Sequence, residues 1–322
     1  MNSINHYREE FLAHLKTSIA VKEPRNLYEP IDYILQLGGK RLRPVLTLIA
    51  TDLFGGDYRK ALPAAAAVEV FHNFSLVHDD IMDNASLRRG KATVHQKWNS
   101  NIAILSGDAM LICAYRLLES YPPDTFAALA KLFSKTALEV CEGQQWDMDF
   151  ETQAQVSIPQ YLQMIRYKTA VLVGAALQMG AIIAGASIEN QRLIYDFGVT
   201  IGLAFQLQDD YLDTFGDEAF GKKIGGDILE NKKTILYLKA LDLADEAQRN
   251  TLIAQYTTSE EDDAKIAIVT QLFRQTGAAE AVRDEIARTT DEALNLLEHI
   301  TISDENRAYL KQFALELMNR KV

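Results

Sequence analysis

The sequence contains little of several residue types, and each shortage excludes a class of protein. Two cysteines, Cys113 and Cys141, exclude a disulfide framework and indicate a reducing compartment. Seven prolines among 322 residues are too few to separate many strands. Basic residues number 33 against 44 acidic ones, and the net charge of −11 argues against nucleic acid or an anionic membrane surface as the main partner. An anionic substrate would therefore need a local basic pocket or metal ions.

The sequence also lacks a clear targeting or membrane segment. Its N-terminus is polar, which excludes a secretory signal. The most apolar stretch, from Ala170 to Ala186, has about the minimum length of a membrane span, but it contains Gln178, Gly174 and Gly180. We interpret this stretch as a buried helix. We expect a cytoplasmic protein without stable membrane insertion.

Long windows rich in Ala, Leu, Glu, Lys and Gln have apolar residues spaced three and four apart, which predicts an almost all-α protein. Pro44 and Pro63 open two of the helices. Further helices are predicted over residues 100–120, 124–150, 159–186, 190–214, 231–256, 263–276, 278–299 and 303–320. Loops are predicted at 54–57, 121–123, 215–226 and 259–263. No linker interrupts the chain, so we predict a single domain over residues 1–322.

Two aspartate clusters share one pattern, D-D-x-x-D. Residues 77–83 contain the first, and residues 207–213 contain the second, 130 residues later (209 minus 79). On a helix, residues four apart lie on one face, so each cluster directs its first and last carboxylate toward a common point. Like charges at this spacing repel each other, and a divalent cation compensates them. Ligands that are all oxygen favour Mg²⁺ over zinc.

The spacing ahead of each cluster predicts two helices that face one another across a cavity. The stripe of the first helix consists of His72, Ser75, Asp79 and Asp83. The stripe of the second consists of Gly202, Gln206, Asp209 and Asp213. Small or polar residues below paired carboxylates indicate a cavity with metal ions at its mouth. The alternative is a pair of solvated helix ends that bear aspartates by chance, which the repetition disfavours.

Basic residues accompany both clusters. They occur in residues 38–44 (GGKRLRP), in 87–91 (LRRGK) and in 221–227 (GKKIGGD), with Lys232 and Lys233 a little further on. Each run taken singly is more often a solvated surface. Two of them directly follow an aspartate cluster, however, and alternating acidic and basic groups suit a diphosphate held by metal ions and cations.

These motifs, together with the Lys168-Thr169 pair and with Gln206 ahead of the second cluster, resemble the trans-isoprenyl diphosphate synthase family over nearly the whole chain. The resemblance implies an all-α antiparallel helical barrel of the isoprenoid synthase type around a deep apolar cavity, and a homodimer. It implies a reaction that joins an allylic diphosphate to isopentenyl diphosphate head to tail. The allylic carbon–oxygen bond ionises, the isopentenyl double bond attacks the carbocation, and a proton is lost.

The resemblance also implies roles for individual residues. Three Mg²⁺ ions are bound by Asp79, Asp80, Asp83 and Asp209, with support from Asp210 and Asp213. The allylic diphosphate contacts Arg88, Lys168, Lys223 and Lys232. Isopentenyl diphosphate is held by Lys40, Arg43, His72 and Arg89. The carbocation is stabilised by the Thr169 hydroxyl, the Lys168 carbonyl and Gln206, although Thr169 and Gln206 also suit ordinary polar helix positions.

In this family the residues four and five before the first cluster set the product length, and here they are Ser75 and Phe74. At about 1.5 Å per residue, Phe74 lies roughly 7–8 Å below Asp79 along the helix, where its ring blocks an elongating chain. Ser75 leaves room beside the ring. We predict a product of fifteen or twenty carbons and favour twenty, with a longer-chain synthase as the alternative.

Three rival functions fit less well. A terpene cyclase has a second metal motif that resembles N-D-x-x-S-x-x-x-E, which residues 209–213 do not match. A non-catalytic subunit of a heteromeric prenyl synthase typically lacks Asp or Arg ligands that are present here. A di-iron bundle needs two Glu-x-x-His units, and one occurs, from Glu69 to His72.

Overall fold

The computed structural model describes residues 1–216, 224–257 and 263–318, and these residues are almost entirely helical. The predicted all-α class is confirmed. Contacts group the chain into two compact units. Unit 1 comprises Met1–Thr136 and Ala175–Tyr195, and unit 2 comprises Ala137–Gly174 and Asp196–Val322. The single domain over residues 1–322 stays a prediction.

Unit 1 contains the first six helices and a two-stranded hairpin. Its α-helices are α1 (Ile4–Ser18), α2 (Arg25–Gln36), α3 (Leu42–Leu53), α4 (Leu62–Met82), α5 (Val94–Lys97) and α6 (Ser100–Leu118). A 3-10 turn, Tyr58–Ala61, precedes α4, and the strands β1 (Leu87–Arg88) and β2 (Lys91–Ala92) follow it. Helices α1 and α2 and the hairpin were not predicted from the sequence, and the two-residue strands of the hairpin have no clear periodicity.

Helix α4 lies at the centre of unit 1 because small residues let its neighbours approach. Its first turns carry four alanines from Ala64 to Ala67, all fully buried, and α3 and α6 pack against it. Gly107 of α6 lies directly on the ring of His78, in space that a Cβ atom would occupy. The aspartates at the end of α4 are therefore attached to a well-packed helix.

Unit 2 is built from the later helices. They are α8 (Ile158–Ile165), α11 (Gly226–Leu229), α12 (Ile235–Leu243), α13 (Glu246–Gln255), α14 (Asp263–Gln275), α15 (Ala278–Leu297) and α16 (Asp304–Met318). Three further helices contribute residues to both units: α7 (Pro123–Thr152), α9 (Val171–Ile183) and α10 (Ile188–Phe215). Leu207, Ile235 and Phe273 belong to the apolar core of unit 2, and each is at most 1% exposed.

Two predicted helices of unit 2 differ from those observed. The predicted helix over 231–256 is wrong, because α12 ends at Leu243 and α13 begins two residues after Ala244. Asp245 starts the new helix with a capping box, in which its side chain accepts a hydrogen bond from the Gln248 N–H. The predicted helix over 159–186 contains a π-helical turn, Arg166–Ala170. Such turns often occur at functional sites, and this one carries Lys168 and Thr169.

Helix α9 forms most of the apolar stretch from Ala170 to Ala186, and the residues from Ala170 to Val173 are at most 6% exposed. Among the described residues, one helix is long and apolar enough to cross a membrane by length and composition alone, and it is α6 rather than α9. Only 33% of its apolar window is buried. The predicted loops at 215–226 and 259–263 lie largely outside the described residues.

Candidate active site

The first aspartate cluster lies at the C-terminal end of α4. Asp79 is partly exposed, Asp83 is exposed, and Asp80 between them is buried. The hairpin that follows turns at Arg89 and Gly90, both with positive φ, and returns Arg88 to the cluster. The Arg88 Nε donates to both carboxylate oxygens of Asp80 at 2.8 and 2.9 Å, and its Nη2 lies 3.6 Å from Asp79 Oδ2. Burial raises the pKa of Asp80, and Arg88 opposes that shift.

The basic residues at the start of α3 meet α4 and the hairpin within unit 1. The Arg43 Nη1 lies 3.3 Å from the His72 Nε2. Burial, followed by the positive charge of Arg43, holds the pKa of His72 well below its usual value, so the neutral ring accepts this hydrogen bond. Arg89 donates to the Gly38 carbonyl, and its guanidinium would lie 2.8 Å from a Cβ atom on Gly39. Four residues were predicted to hold isopentenyl diphosphate. Arg43 contacts His72 of α4, Arg89 contacts the 38–39 turn, and Lys40 is exposed next to that turn.

The second aspartate cluster lines a cavity of about 250 Å³ within unit 2. The predicted site residues that line it are Lys168, Thr169, Gln206, Asp209, Asp210, Asp213 and Lys232. Gly143 of α7 lies directly against the backbone of Lys168, where a side chain would not fit. The π-helical turn can therefore approach α7 closely. Lys223, also predicted here, lies outside the described residues.

A continuous series of hydrogen bonds connects four polar residues of this cavity. Thr169 Oγ1 donates to Gln206 Oε1 at 3.2 Å, and Gln206 Nε2 donates to Asp210 Oδ1 at 3.0 Å. The Tyr161 hydroxyl donates to the other carboxylate oxygen of Asp210. Burial, with a contribution from the charge of Asp227, raises the pKa of Asp210 to about 8. Asp210 therefore orients Gln206 and Thr169 from below.

The donor sets of both clusters fit Mg²⁺. No three His, Cys, Asp or Glu side chains within the described ranges converge into a ready-made metal site. Magnesium is usually bound by one or two carboxylates together with waters and substrate phosphates, and seldom by an all-protein cage. The pairs Asp79 with Asp83 and Asp209 with Asp213, each one helical turn apart, match that mode.

Comparison with known proteins identifies the family. Residues 24–273 match the family model described as Polyprenyl synthetase. The geranylgeranyl pyrophosphate synthase of Geoglobus acetivorans is 38% identical over 301 residues, which cover 93% of this chain and 92% of that protein. This chain belongs to the polyprenyl synthetase family.

Two solved structures of polyprenyl synthetases are similar to this chain over almost its whole length. A crystal structure of a geranylgeranyl pyrophosphate synthase shares 53% identity and a TM-score of 0.96, with 100% of both chains covered. The geranylgeranyl pyrophosphate synthase of Corynebacterium glutamicum, complexed with isoprenyl diphosphate and magnesium, shares 30% identity and a TM-score of 0.86, with 98% of both chains covered. The predicted family, the isoprenoid synthase fold and the class of trans-prenyltransferase are confirmed.

The structure of this polyprenyl synthetase adds cavity residues that the sequence reading missed. The Lys168 Nζ lies 2.5 Å from Asp147 Oδ2, and Asp213 Oδ2 accepts a hydrogen bond from the Asp227 N–H at 3.0 Å. Asp147 belongs to no repeated pattern, so no spacing singled it out. Asp227 ends the segment 221–227, which the sequence analysis treated as a basic segment because of its lysines.

Lys233, which was not among the predicted site residues, also lines this cavity. Its Nζ donates to the carbonyls of Phe150 and Gln153 at 2.7 and 2.6 Å, which caps the C-terminal end of α7. This contact ties α7, which carries Asp147, to the segment that carries Lys232. Burial lowers the pKa of Lys232, but the hydrogen bond and charge of Glu230, together with the charges of Asp227 and Asp147, raise it overall.

Proposed function

We propose that this enzyme condenses isopentenyl diphosphate with an allylic diphosphate, head to tail, to give an all-trans product of twenty carbons. The observation that carries the proposal is the cavity of unit 2. It combines two carboxylates one turn apart, the cations Lys168 and Lys232, and the oriented pair Thr169 and Gln206. Anion-binding and carbocation-stabilising groups are both needed for ionisation of an allylic diphosphate.

Asp79, Asp83, Asp209 and Asp213 would hold the divalent cations, which we propose to be three Mg²⁺ ions. When bound, Mg²⁺ neutralises the charge that develops on the departing diphosphate. Magnesium in the Corynebacterium glutamicum relative and the all-oxygen donor sets support this assignment. Asp80 holds Arg88 through two hydrogen bonds, and its predicted role as a direct ligand stays a prediction.

The side chains of this chain bind the substrates and orient the charges. Arg88, Lys168 and Lys232 bind the allylic diphosphate, and the electron pair of the broken carbon–oxygen bond leaves with it. The Thr169 hydroxyl donates to Gln206, so its oxygen lone pairs stabilise the carbocation. Lys40, Arg43, Arg89 and the neutral His72 hold isopentenyl diphosphate. Its double bond forms the new carbon–carbon bond, and the released diphosphate accepts the proton.

Phe74 limits the product to twenty carbons in this proposal. Its ring is 8% exposed and packs against Phe71 and His78, with ring centroids 5.6 and 4.8 Å away. A ring held between two others cannot move aside easily for a growing chain. Ser75 is partly exposed and donates to the His72 carbonyl at 2.8 Å, so it leaves space beside that ring.

A homodimer in the cytoplasm, without stable membrane insertion, completes the proposal. Ile104, Leu105 and Ile112 of α6 are 42%, 60% and 59% exposed, and their spacing places them on one helical face. A second copy of the chain would cover this apolar face. Leu105→Glu should then halve the mass measured by light scattering, whereas Ile188→Glu, at an 80% exposed site, should not. Binding of the wild-type protein to lipid vesicles would contradict this assignment.

Incubation with Mg²⁺, an allylic diphosphate and labelled isopentenyl diphosphate tests the activity. Dimethylallyl, geranyl and farnesyl diphosphate are supplied separately, and the dephosphorylated products are separated by chromatography. We expect a labelled twenty-carbon alcohol and its loss when a chelator removes the metal. Absence of condensation would overturn the proposal in favour of a non-catalytic subunit, and a cyclic hydrocarbon would do so in favour of a cyclase. A series of longer products would overturn only the proposed product length of twenty carbons.

A further inference from the structure

A buried ion pair in unit 1 lies next to the residues proposed to hold isopentenyl diphosphate. Arg41 is 5% exposed and Glu69 is 2% exposed. Arg41 Nη1 donates to Glu69 Oε1, and Arg41 Nη2 donates to the Leu35 carbonyl. Buried charges of this kind require a partner and hydrogen bonds, and here one arginine meets both a carboxylate and a helix-end carbonyl.

Three helices meet at this pair. Leu35 lies in the last turn of α2, Arg41 directly precedes α3, and Glu69 lies in the middle of α4. The Asn73 Nδ2 donates to the Glu69 carbonyl at 2.8 Å and to its Oε1 at 3.0 Å, which fixes the carboxylate on α4. The pair therefore sets where α3 begins relative to α4.

The backbone at Arg41 is in a conformation that its surroundings must impose. Its φ is 52°, in the left-handed region that side chains with a Cβ atom seldom adopt. Such conformations persist where neighbouring contacts determine them, and they are common at functional sites. Lys40 and Arg43 flank this residue, so its conformation decides the direction in which both cations leave the chain.

The same pair reduces repulsion among the cations. The positive charges of Arg43, Arg89 and Arg88 all act on His72, and Arg41 adds a fourth guanidinium to that group. Like charges so close would separate without compensation. Glu69, three residues before His72 on α4, supplies one buried negative charge, which neutralises the charge of Arg41. Glu69 therefore offsets part of the positive charge around His72.

We propose that Arg41 and Glu69 are positioning residues for isopentenyl diphosphate: they hold the start of α3 so that Lys40 and Arg43 are pre-arranged against His72. This inference rests on the proposed function and deepens it. Arg41 does not touch the substrate in this assignment. It acts through its neighbours. Its loss should therefore weaken the binding of isopentenyl diphosphate and leave the binding of the allylic substrate unaffected.

The test uses a paired substitution, because either single change leaves a buried charge without its partner and destabilises the fold. Arg41→Met with Glu69→Leu removes both charges at similar volume, and thermal unfolding should show a melting temperature close to the wild-type value. The KM for isopentenyl diphosphate should nevertheless rise about tenfold or more, and the KM for the allylic substrate should change by less than about twofold. A purely structural pair would not separate the two constants.

The matched control removes an exposed ion pair of α2, Arg25 with Glu29, whose side chains are 69% and 40% exposed. Arg25→Met with Glu29→Leu should leave both KM values unchanged. Calorimetric titration with isopentenyl diphosphate provides a readout that does not need turnover. A folded double variant with wild-type affinity would overturn the inference while the condensation stands. A wild-type protein that neither binds nor condenses this substrate would overturn both.

Discussion

The two aspartate clusters have the same spacing but different surroundings. In unit 1, Asp80 is buried beneath Asp79 and accepts hydrogen bonds from the cation Arg88. In unit 2, Asp210 occupies the equivalent position and accepts from two neutral donors, the Tyr161 hydroxyl and the Gln206 amide. A positive charge opposes the effect of burial on Asp80, whereas at Asp210 burial and the charge of Asp227 outweigh the two neutral donors and raise the pKa to about 8. The same motif therefore holds the cation Arg88 in the first unit and orients the Gln206 amide dipole in the second.

The flanking residues of the two helices differ as well. Five residues before its first aspartate, α4 carries Phe74, and α10 carries the fully buried Ala204. The two helices are thus similar at their carboxylates and different one and a half turns earlier. We infer that the first helix limits the product and the second supports ionisation.

The largest expected effect concerns what the clusters share. Asp79→Ala and Asp209→Ala should each lower kcat by roughly 100- to 1000-fold, because each removes a carboxylate proposed to hold Mg²⁺ at the departing diphosphate. Steady-state kinetics at saturating Mg²⁺ measures this. Asp291→Ala, at an exposed site on α15, is the control and should retain activity. Full activity of either site variant would show that the clusters are not equivalent ligand pairs.

The middle aspartates should separate the two clusters. Asp80→Asn breaks a buried ion pair and should reduce the free energy of unfolding by roughly 3 kcal/mol. Asp210→Asn keeps an acceptor oxygen for the Gln206 amide, and its own amide can donate to the Tyr161 hydroxyl oxygen, so the cost should stay near 1 kcal/mol. Urea unfolding at pH 6.5 without metal compares the two. Equal losses in the free energy of unfolding would mean that a charged partner at Asp80 and neutral partners at Asp210 affect stability in the same way.

Product length should depend on α4. Phe74→Ala should shift the main product from twenty carbons to longer chains, because it removes the ring that packs against Phe71 and His78. Chromatography of the dephosphorylated products measures the shift. Ser75→Ala changes the neighbouring side chain without adding bulk and should leave the distribution as it is. An unchanged distribution for Phe74→Ala would remove this residue from the role.

The last prediction is a pH dependence of stability that arises from Asp210 in unit 2. The pKa of Asp210 is raised to about 8 in the folded protein, mainly by burial. A carboxyl with a raised folded pKa stabilises the fold at low pH, and that contribution is lost as the pH rises toward 8. Between pH 5 and pH 8 the metal-free wild-type protein should therefore lose stability relative to Asp210→Asn. Parallel curves from urea unfolding would contradict the buried, neutral state of Asp210.

Local patterns predicted much of this enzyme. The three-to-four apolar spacing follows from helix geometry, so it indicated the helical class. The repeated D-D-x-x-D motifs and the GGKRLRP segment indicated the family by resemblance, which also implied the candidate site residues. The same patterns could not show the break at Asp245, where the capping box overrides favourable helix propensity on both sides. They also missed Asp147 and the contacts of Lys233, because the partners of these residues are 21 and 80 or more residues away along the chain.

The sequence by itself determined which chemical groups are present and which of them share a helical face, because residues four apart on a helix are neighbours in any fold. The tertiary structure decided which of those groups are buried and what they contact. Asp80 and Asp210 have the same sequence context, yet Arg88 approaches one and Tyr161 the other. Burial and partner charge set the protonation of a carboxylate, and both arise from residues distant in the chain.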